Sequence, residues 1–189
     1  ASGDTAIATV SVNVADHSVG NTVSGNVYMD DDSSQTRNAS EAGVPGVQID
    51  LTGTDTNGTT ISRQTITLND GSYSFSDVPA GTYTITQTQP AALTDGTATT
   101  DDDSASVNGN VISNLSVAGD SLNNNFGESD LSAAYHSIVW FFAKQRNPQS
   151  RGDVFREVIA IAEEDAGNFE LARAIRTGET GGAGPHKFQ

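Results

Sequence analysis

Cysteine is absent from the 189 residues, so neither a disulfide framework nor a thiolate metal site can be built from this chain. Basic residues are scarce: nine Lys and Arg stand against 24 Asp and Glu, a formal charge of −15. A surface this acidic repels nucleic acid and anionic lipid, so neither is expected as a partner; it favours cations. No apolar run approaches the roughly 20 residues that cross a bilayer, so no membrane span is expected. His17, His136 and His186 sit at no spacing that suggests a ligand set or a triad. Nor is there a G-x-S-x-G elbow, a Gly-rich phosphate loop or a paired-carboxylate motif. The chain reads as non-enzymatic. Lack of disulfides does not point to the cytosol, because abundant Thr, Ser, Asn and Gly with almost no Lys suit a secreted β-rich protein. Ala1 in place of an initiating Met fits removal of a leader as well as trimming.

What charge there is lies unevenly. Residues 1–130 hold 17 acids and two bases, Arg37 and Arg63, giving 2 − 17 = −15, while residues 131–189 hold seven of each and sum to zero. A boundary near Asp130 follows. Before it, short alternating stretches dominate. Residues 6–14 put Ala8, Val10, Val12 and Val14 on one face and Thr9, Ser11 and Asn13 on the other, the pattern of a half-buried strand. Val23, Gly25, Val27 and Met29 alternate next, then Val47, Ile49 and Leu51 up to Gly53. Residues 60–68 predict a strand that turns at Asn69-Asp70-Gly71 in a tight hairpin towards Tyr73 and Phe75. Pro79-Ala80-Gly81 turns the chain into Tyr83 and Ile85. Residues 91–110 read as a polar, Asp-rich loop, and Val111 to Val117 and Leu122 to Phe126 as closing strands. Many short strands with regular turns predict a β-sandwich.

After Glu128 the period changes. Ser129 or Asp130 is placed to cap a helix reaching about Arg146, with Tyr135, Ile138, Val139, Phe141 and Phe142 at helical spacing. With Trp140 this stripe is wider than one helix face needs, which suits packing on the sandwich or burial against another subunit. Ser150 and Asp153 resemble a capping-box start for a second helix ending at Gly167. Asn168 is placed to cap a third. Arg151-Gly152-Asp153 spells an adhesion tripeptide, but at a helix start Asp153 has an ordinary capping role. The expected organisation is an N-terminal strand and linker over 1–20, a sandwich over 21–129, a helical segment over 130–177 and a disordered tail over 178–189.

One loop carries chemistry. From Asp30 to Glu41, oxygen-bearing side chains fall at positions 1, 3, 5, 9 and 12 (Asp30, Asp32, Ser34, Asn38 and Glu41), and Thr36 can offer its backbone carbonyl at position 7. That is the order in which a twelve-residue loop wraps oxygen ligands around Ca²⁺. Position 6 requires a left-handed backbone and holds Gln35, at a cost of about 1 kcal/mol relative to Gly. Position 5 is Ser34 rather than a carboxylate. Three placed carboxylates predict weak binding, roughly 10⁻⁴–10⁻³ M. The alternative is a solvated acidic turn. Asp101-Asp102-Asp103 reads either as a second site with Asp95 or as a solvated charge run.

The stretches Gly25-Asn26-Val27-Tyr28-Met29-Asp30, Glu41-Ala42-Gly43-Val44-Pro45-Gly46-Val47, Asp70-Gly71-Ser72-Tyr73-Ser74-Phe75 and Val78-Pro79-Ala80-Gly81-Thr82-Tyr83-Thr84-Ile85 occur in an informative order. With Asn125-Phe126-Gly127-Glu128 at the end, they resemble the collagen-adhesin B-type family, most closely the B repeats of serine–aspartate repeat surface proteins. The resemblance covers about residues 22–128. It implies a prealbumin-like, Ig-like Greek-key β-sandwich, a bacterial cell-surface setting and Ca²⁺ in the Asp30–Glu41 loop. Many relatives carry a Lys–Asn crosslink, which the sandwich region here cannot form because it has no lysine.

The expected function is structural: a secreted bacterial surface or matrix protein stabilised by Ca²⁺. Its partners would be other copies or other surface proteins. The N-terminal strand either packs on its own sandwich or inserts into a neighbour and builds a filament. The alternative is an adhesin or accessory module that recognises a carbohydrate or a protein.

Overall fold

A computed structural model describes residues 20–136 and 151–178. The expected strand over 6–14, most of the first expected helix and residues 179–189 lie outside them. Nine strands form two sheets: β1 (Asn21–Met29), β2 (Gln48–Asp55), β3 (Thr60–Ile66), β4 (Ser72–Val78), β5 (Gly81–Gln87), β6 (Leu93–Thr99), β7 (Ser106–Asn108), β8 (Val111–Val117) and β9 (Asn125–Leu131). One sheet has the order β4-β1-β9-β6 and the other β3-β2-β5-β8-β7. Pairing is antiparallel except between β1 and β9. Alternate side chains explain the sandwich. Val23, Val27 and Met29 from β1 with Phe126 from β9 face Ile49 and Leu51 from β2, Tyr83 and Ile85 from β5 and Leu115 from β8, all buried.

Several expectations are corrected. The turn at 69–71 forms, with Gly71 at φ 79° and its N–H on the Leu68 carbonyl at 2.9 Å, but it does not make a hairpin. β3 belongs to one sheet and β4 to the other, so the turn carries the chain across the edge of the core. Tight-turn residues bend the chain, and burial of both flanking faces decides which sheet each strand joins. The stretch 91–110 is not all loop: it holds β6 and β7. Only Leu93 and Ala98 of β6 are buried, and its pairing with β9 is broken by two irregularities, so no alternation was visible. The last strand begins at Asn125 and leaves Leu122 half exposed. It continues through Ser129 and Asp130 to Leu131, so the two residues expected to cap a helix lie in a strand.

Two helices follow, α1 (Arg151–Asp165) and α2 (Phe169–Thr177). Asn168 precedes α2 but makes no side-chain capping bond; its amide donates to Glu163 at 2.8 Å. Gly178, at φ 75°, closes α2 with its N–H on the Ala174 carbonyl. Arg176 ties the pair together through Glu157 (2.9 Å) and Glu164. Phe155, Val158, Ile159, Ala172 and Ile175 are buried and continuous with the sandwich core. Ile175 reaches the β1–β2 connection, where a Cβ on Gly46 would sit 2.3 Å from its Cγ1.

Candidate cation site in the β1–β2 loop

Two strand ends bring the loop's termini together. The Met29 N–H donates to the Ala42 carbonyl at 2.9 Å, and the Asp30 N–H donates to the Glu128 carbonyl of β9 at 2.8 Å. Positions 1 and 12 of the loop therefore meet at the sheet edge, with Asp30 and Glu41 each only 7% exposed. Between them the chain wraps tightly, with Ser33 at φ 55° and Gln35 at φ 59°. Gln35 thus holds the left-handed conformation that position 6 demands.

Backbone amides orient the carboxylates. Ser34 N–H donates to Asp30 Oδ1 (2.9 Å) and to Asp32 Oδ1 (3.0 Å), and Gln35 N–H donates to Asp30 Oδ2 (3.0 Å). Asn38 N–H donates to Glu41 Oε2 at 2.8 Å. The result is a cluster in which one oxygen from each of Asp30, Asp32 and Glu41 lies within 4.8 Å of the others. Like charges this close repel one another, most strongly between the buried pair Asp30 and Glu41. Glu41 Oε1 is buried and has no hydrogen-bond partner, so the cluster keeps an acceptor that water does not reach. Three carboxylates arranged in this way could hold a metal ion.

The surroundings add detail. Hydrogen bonds from the Ser34 side chain, then its backbone, hold the Asp32 carboxyl below the usual range. The buried Tyr28 hydroxyl has no hydrogen-bond partner and its pKa is pushed up to about 12, by burial first and then by Asp30, Glu41 and Asp32. Arg37 lies within the loop but points away. Its guanidinium donates to Asn26 Oδ1 and to the Asp70 carbonyl (2.8 Å), bracing the loop against β1 and the β3–β4 turn.

Of the six expected ligands, Asp30, Asp32 and Glu41 are brought together. Ser34 and Thr36 lie side by side, with the Ser34 hydroxyl donating to the Thr36 carbonyl at 3.1 Å. Asn38 is turned elsewhere: its Oδ1 accepts from the Ser40 N–H (2.9 Å) and hydroxyl (2.5 Å), and its amide donates to Asp32 Oδ2 (3.2 Å). Among the described residues, Asp101–Asp103 forms no comparable cluster. Asp102 accepts from Ser104 N–H (2.9 Å), Ser104 Oγ (2.6 Å) and Ser116 N–H (2.7 Å), and Asp101 accepts from Asn123 (2.6 Å).

A second polar group went unseen in the sequence. Glu128 of β9 is 1% exposed, and its carboxyl accepts from the amides of Gln87 and of Gln89 (2.7 Å). Burial pushes its pKa up to about 7, against the lowering effect of those two amides and with Asp95 adding to the rise. Gln87-x-Gln89 reads locally as ordinary polar alternation, so no signal marked it.

Residues 17–133 match the family model of the SdrD B-like domain. No curated protein matches the chain. Among solved structures, the chain is similar to the major plantain pollen allergen Pla l 1 at 17% identity and a TM-score of 0.36, over 60% of this chain and 98% of the allergen. It is also similar to BcpA, the major pilin subunit of Bacillus cereus, at 13% identity and a TM-score of 0.34, over 59% of this chain and 30% of the pilin.

Proposed function

The chain belongs to the SdrD B-like domain family, and from that premise we propose that it is a calcium-braced structural module of a bacterial surface protein, extracellular and without catalytic activity. The family is a structural type of surface module. The brace rests on one observation: three carboxylates converge where β1 leaves the sheet, and one of them keeps a buried, unpartnered oxygen. Asp30, Asp32 and Glu41 would supply the charge, and Ser34 and the Thr36 carbonyl the neutral oxygens; Asn38 would join them by exchanging its bonds from Ser40 for the ion. A divalent cation there offsets the mutual repulsion of the carboxylates. It also links the end of β1 to the chain that leads into β2. With three carboxylates the affinity falls at roughly 10⁻⁴–10⁻³ M. Melting in Ca²⁺ and then in excess chelator tests this, and superimposable curves would remove the ion from the proposal.

Residues 6–14, uncharged and alternating, would add as a strand to a neighbouring copy and link modules head to tail. Regular fibres by negative-stain microscopy, lost on deletion of residues 1–15, are the expected outcome. Monodisperse monomers at high concentration in Ca²⁺ would sink it. Among the described residues no helix is long and apolar enough to cross a membrane.

A second reading, a module that holds a carbohydrate or protein ligand, is favoured by a polar cleft of about 550 Å³ beside the loop. Asn26, Arg37, Thr100, Asp101, Asn123 and Asn125 line it. A melting temperature raised by a glycan or a host protein would favour that reading.

A further inference from the structure

We propose that the acceptor for the linking strand is the open edge of β3, and that its occupant is residues 6–14 of a second copy; this rests on the strand-linked reading above. The sandwich presents four sheet edges among the described residues, β4 and β6 on one sheet and β3 and β7 on the other. Three are poor templates. β7 is three residues long. β6 pairs with β9 through two register irregularities, which bend and twist an edge out of flat pairing. β4 is capped from the side: its Ser72 carbonyl accepts from Leu68 N–H at 2.8 Å, and its Ser76 and Asp77 carbonyls accept from the Arg63 guanidinium, the latter at 2.8 Å. Asp77 also sits at φ 54° and breaks the extended run.

β3 differs on every count. It runs for seven residues and pairs with β2 one to one, from Thr54↔Thr60 to Gln48↔Ile66, without a bulge. The bonds Asp55 N–H to Thr59 carbonyl (3.0 Å) and Thr67 N–H to Val47 carbonyl (2.9 Å) fix the alternation at both ends. Odd-numbered residues therefore bond to β2, and Thr60, Ser62, Gln64 and Ile66 turn their N–H and C=O groups to the open side. Natural edges are commonly blocked by lysine, proline or an inward charge. β3 has neither lysine nor proline, and the charge of Arg63 is engaged on β4. The sequence of the occupant suits this edge. Residues 6–14 carry no charge, and in such a pairing Ala8, Val10, Val12 and Val14 would extend the half-buried side that Ile61 begins.

The full-length chain tests the assignment in two ways. Ser62→Pro removes an outward N–H without touching the β2 ladder. It should cut fibre number at least tenfold while leaving the thermal transition cooperative. Independently of folding effects, the absence of native cysteine permits a mixed experiment. One population carries Ser11→Cys, and the other carries cysteine at Thr60, Ser62 or Gln64 in turn. Disulfide-linked dimers between the populations, from at least one of these positions, are expected under mild oxidation. Fibres that need residues 1–15 yet persist with Ser62→Pro and give no such disulfide would overturn the β3 assignment and leave the strand reading standing. Cross-links confined to a chain carrying both cysteines would mean that each copy fills its own edge, and would overturn the second-copy occupant. Fibres that survive deletion of residues 1–15, or no fibres at all, would overturn the strand reading itself.

Discussion

Two acidic groups lie one strand apart, each with buried carboxylates, in different surroundings. In the β1–β2 loop, Asp30, Asp32 and Glu41 converge at the rim of the sandwich with one carboxylate oxygen left unpartnered. On β9, Glu128 lies between the sheets, near Asp95, and its carboxyl oxygens accept from the neutral amides of Gln87 and Gln89. The two are joined by the backbone bond from Asp30 N–H to the Glu128 carbonyl. A rim cluster of charges close to solvent can be offset by a cation. An acid in the core has no cation within reach and is more cheaply neutralised by a proton. Position relative to solvent, rather than residue type, decides which remedy is open.

The largest expected effect separates the two groups by pH. The folded-state pKa of Glu128, about 7, lies above its ordinary value of 4.5, so the protonated form is the one the fold favours. Its contribution is complete below pH 4.5 and is lost as pH rises through 7, by about 3 kcal/mol in all. Urea unfolding of Glu128→Gln in chelator should lack this decline, so that the variant gains on the wild type between pH 5 and pH 8. A wild-type profile as flat as the variant's would end the comparison.

Cation dependence should divide them next. With 10 mM Ca²⁺ and the affinity proposed, the wild type should gain about 1.4–2.7 kcal/mol, or roughly 3–10 °C in melting temperature. Glu41→Gln should lose most of that gain. Glu128→Gln should keep it, because its side chain is not among the three that converge. A third acid tests whether the loop is special among the Asp-rich segments. Asp102→Asn should destabilise by about 1 kcal/mol, through its bonds to Ser104 and Ser116, equally with and without Ca²⁺. A calcium-dependent loss at Asp102 would place an ion where the structure gathers no carboxylates. The smallest effect is expected at Tyr28, whose buried hydroxyl has no partner. Tyr28→Phe should leave stability unchanged or raise it by less than about 1 kcal/mol in chelator, measured by the same denaturant titration.

In the loop, the convergence of Asp30, Asp32 and Glu41 and the left-handed Gln35 were legible. Ligand order, the left-handed demand on Gln35 and the weakened position at Ser34 are all properties of neighbours within twelve residues. Alternation in 23–29, 47–53 and 111–117 was equally local and located three core strands. Elsewhere local pattern misled. Asn69-Asp70-Gly71 signals a turn, but the turn joins strands of different sheets. β6 has too few buried residues to alternate, and Ser129-Asp130 has good capping chemistry yet continues a strand. The bonds that Asn38 Oδ1 accepts from Ser40 are likewise not implied by its spacing in the loop.

By itself the sequence determined a disulfide-free, acidic β-rich region ahead of a charge-balanced segment, and an oxygen-ligand order in one loop, since each depends on composition or on close neighbours. Tertiary structure alone decided which strands share a sheet, which edges are capped and which acid is stranded in the core. Arg63 meets Ser76 and Asp77 only because β3 and β4 part into different layers. Glu128 meets Gln87 across 41 residues of chain, and no local pattern records a contact made by folding at that distance.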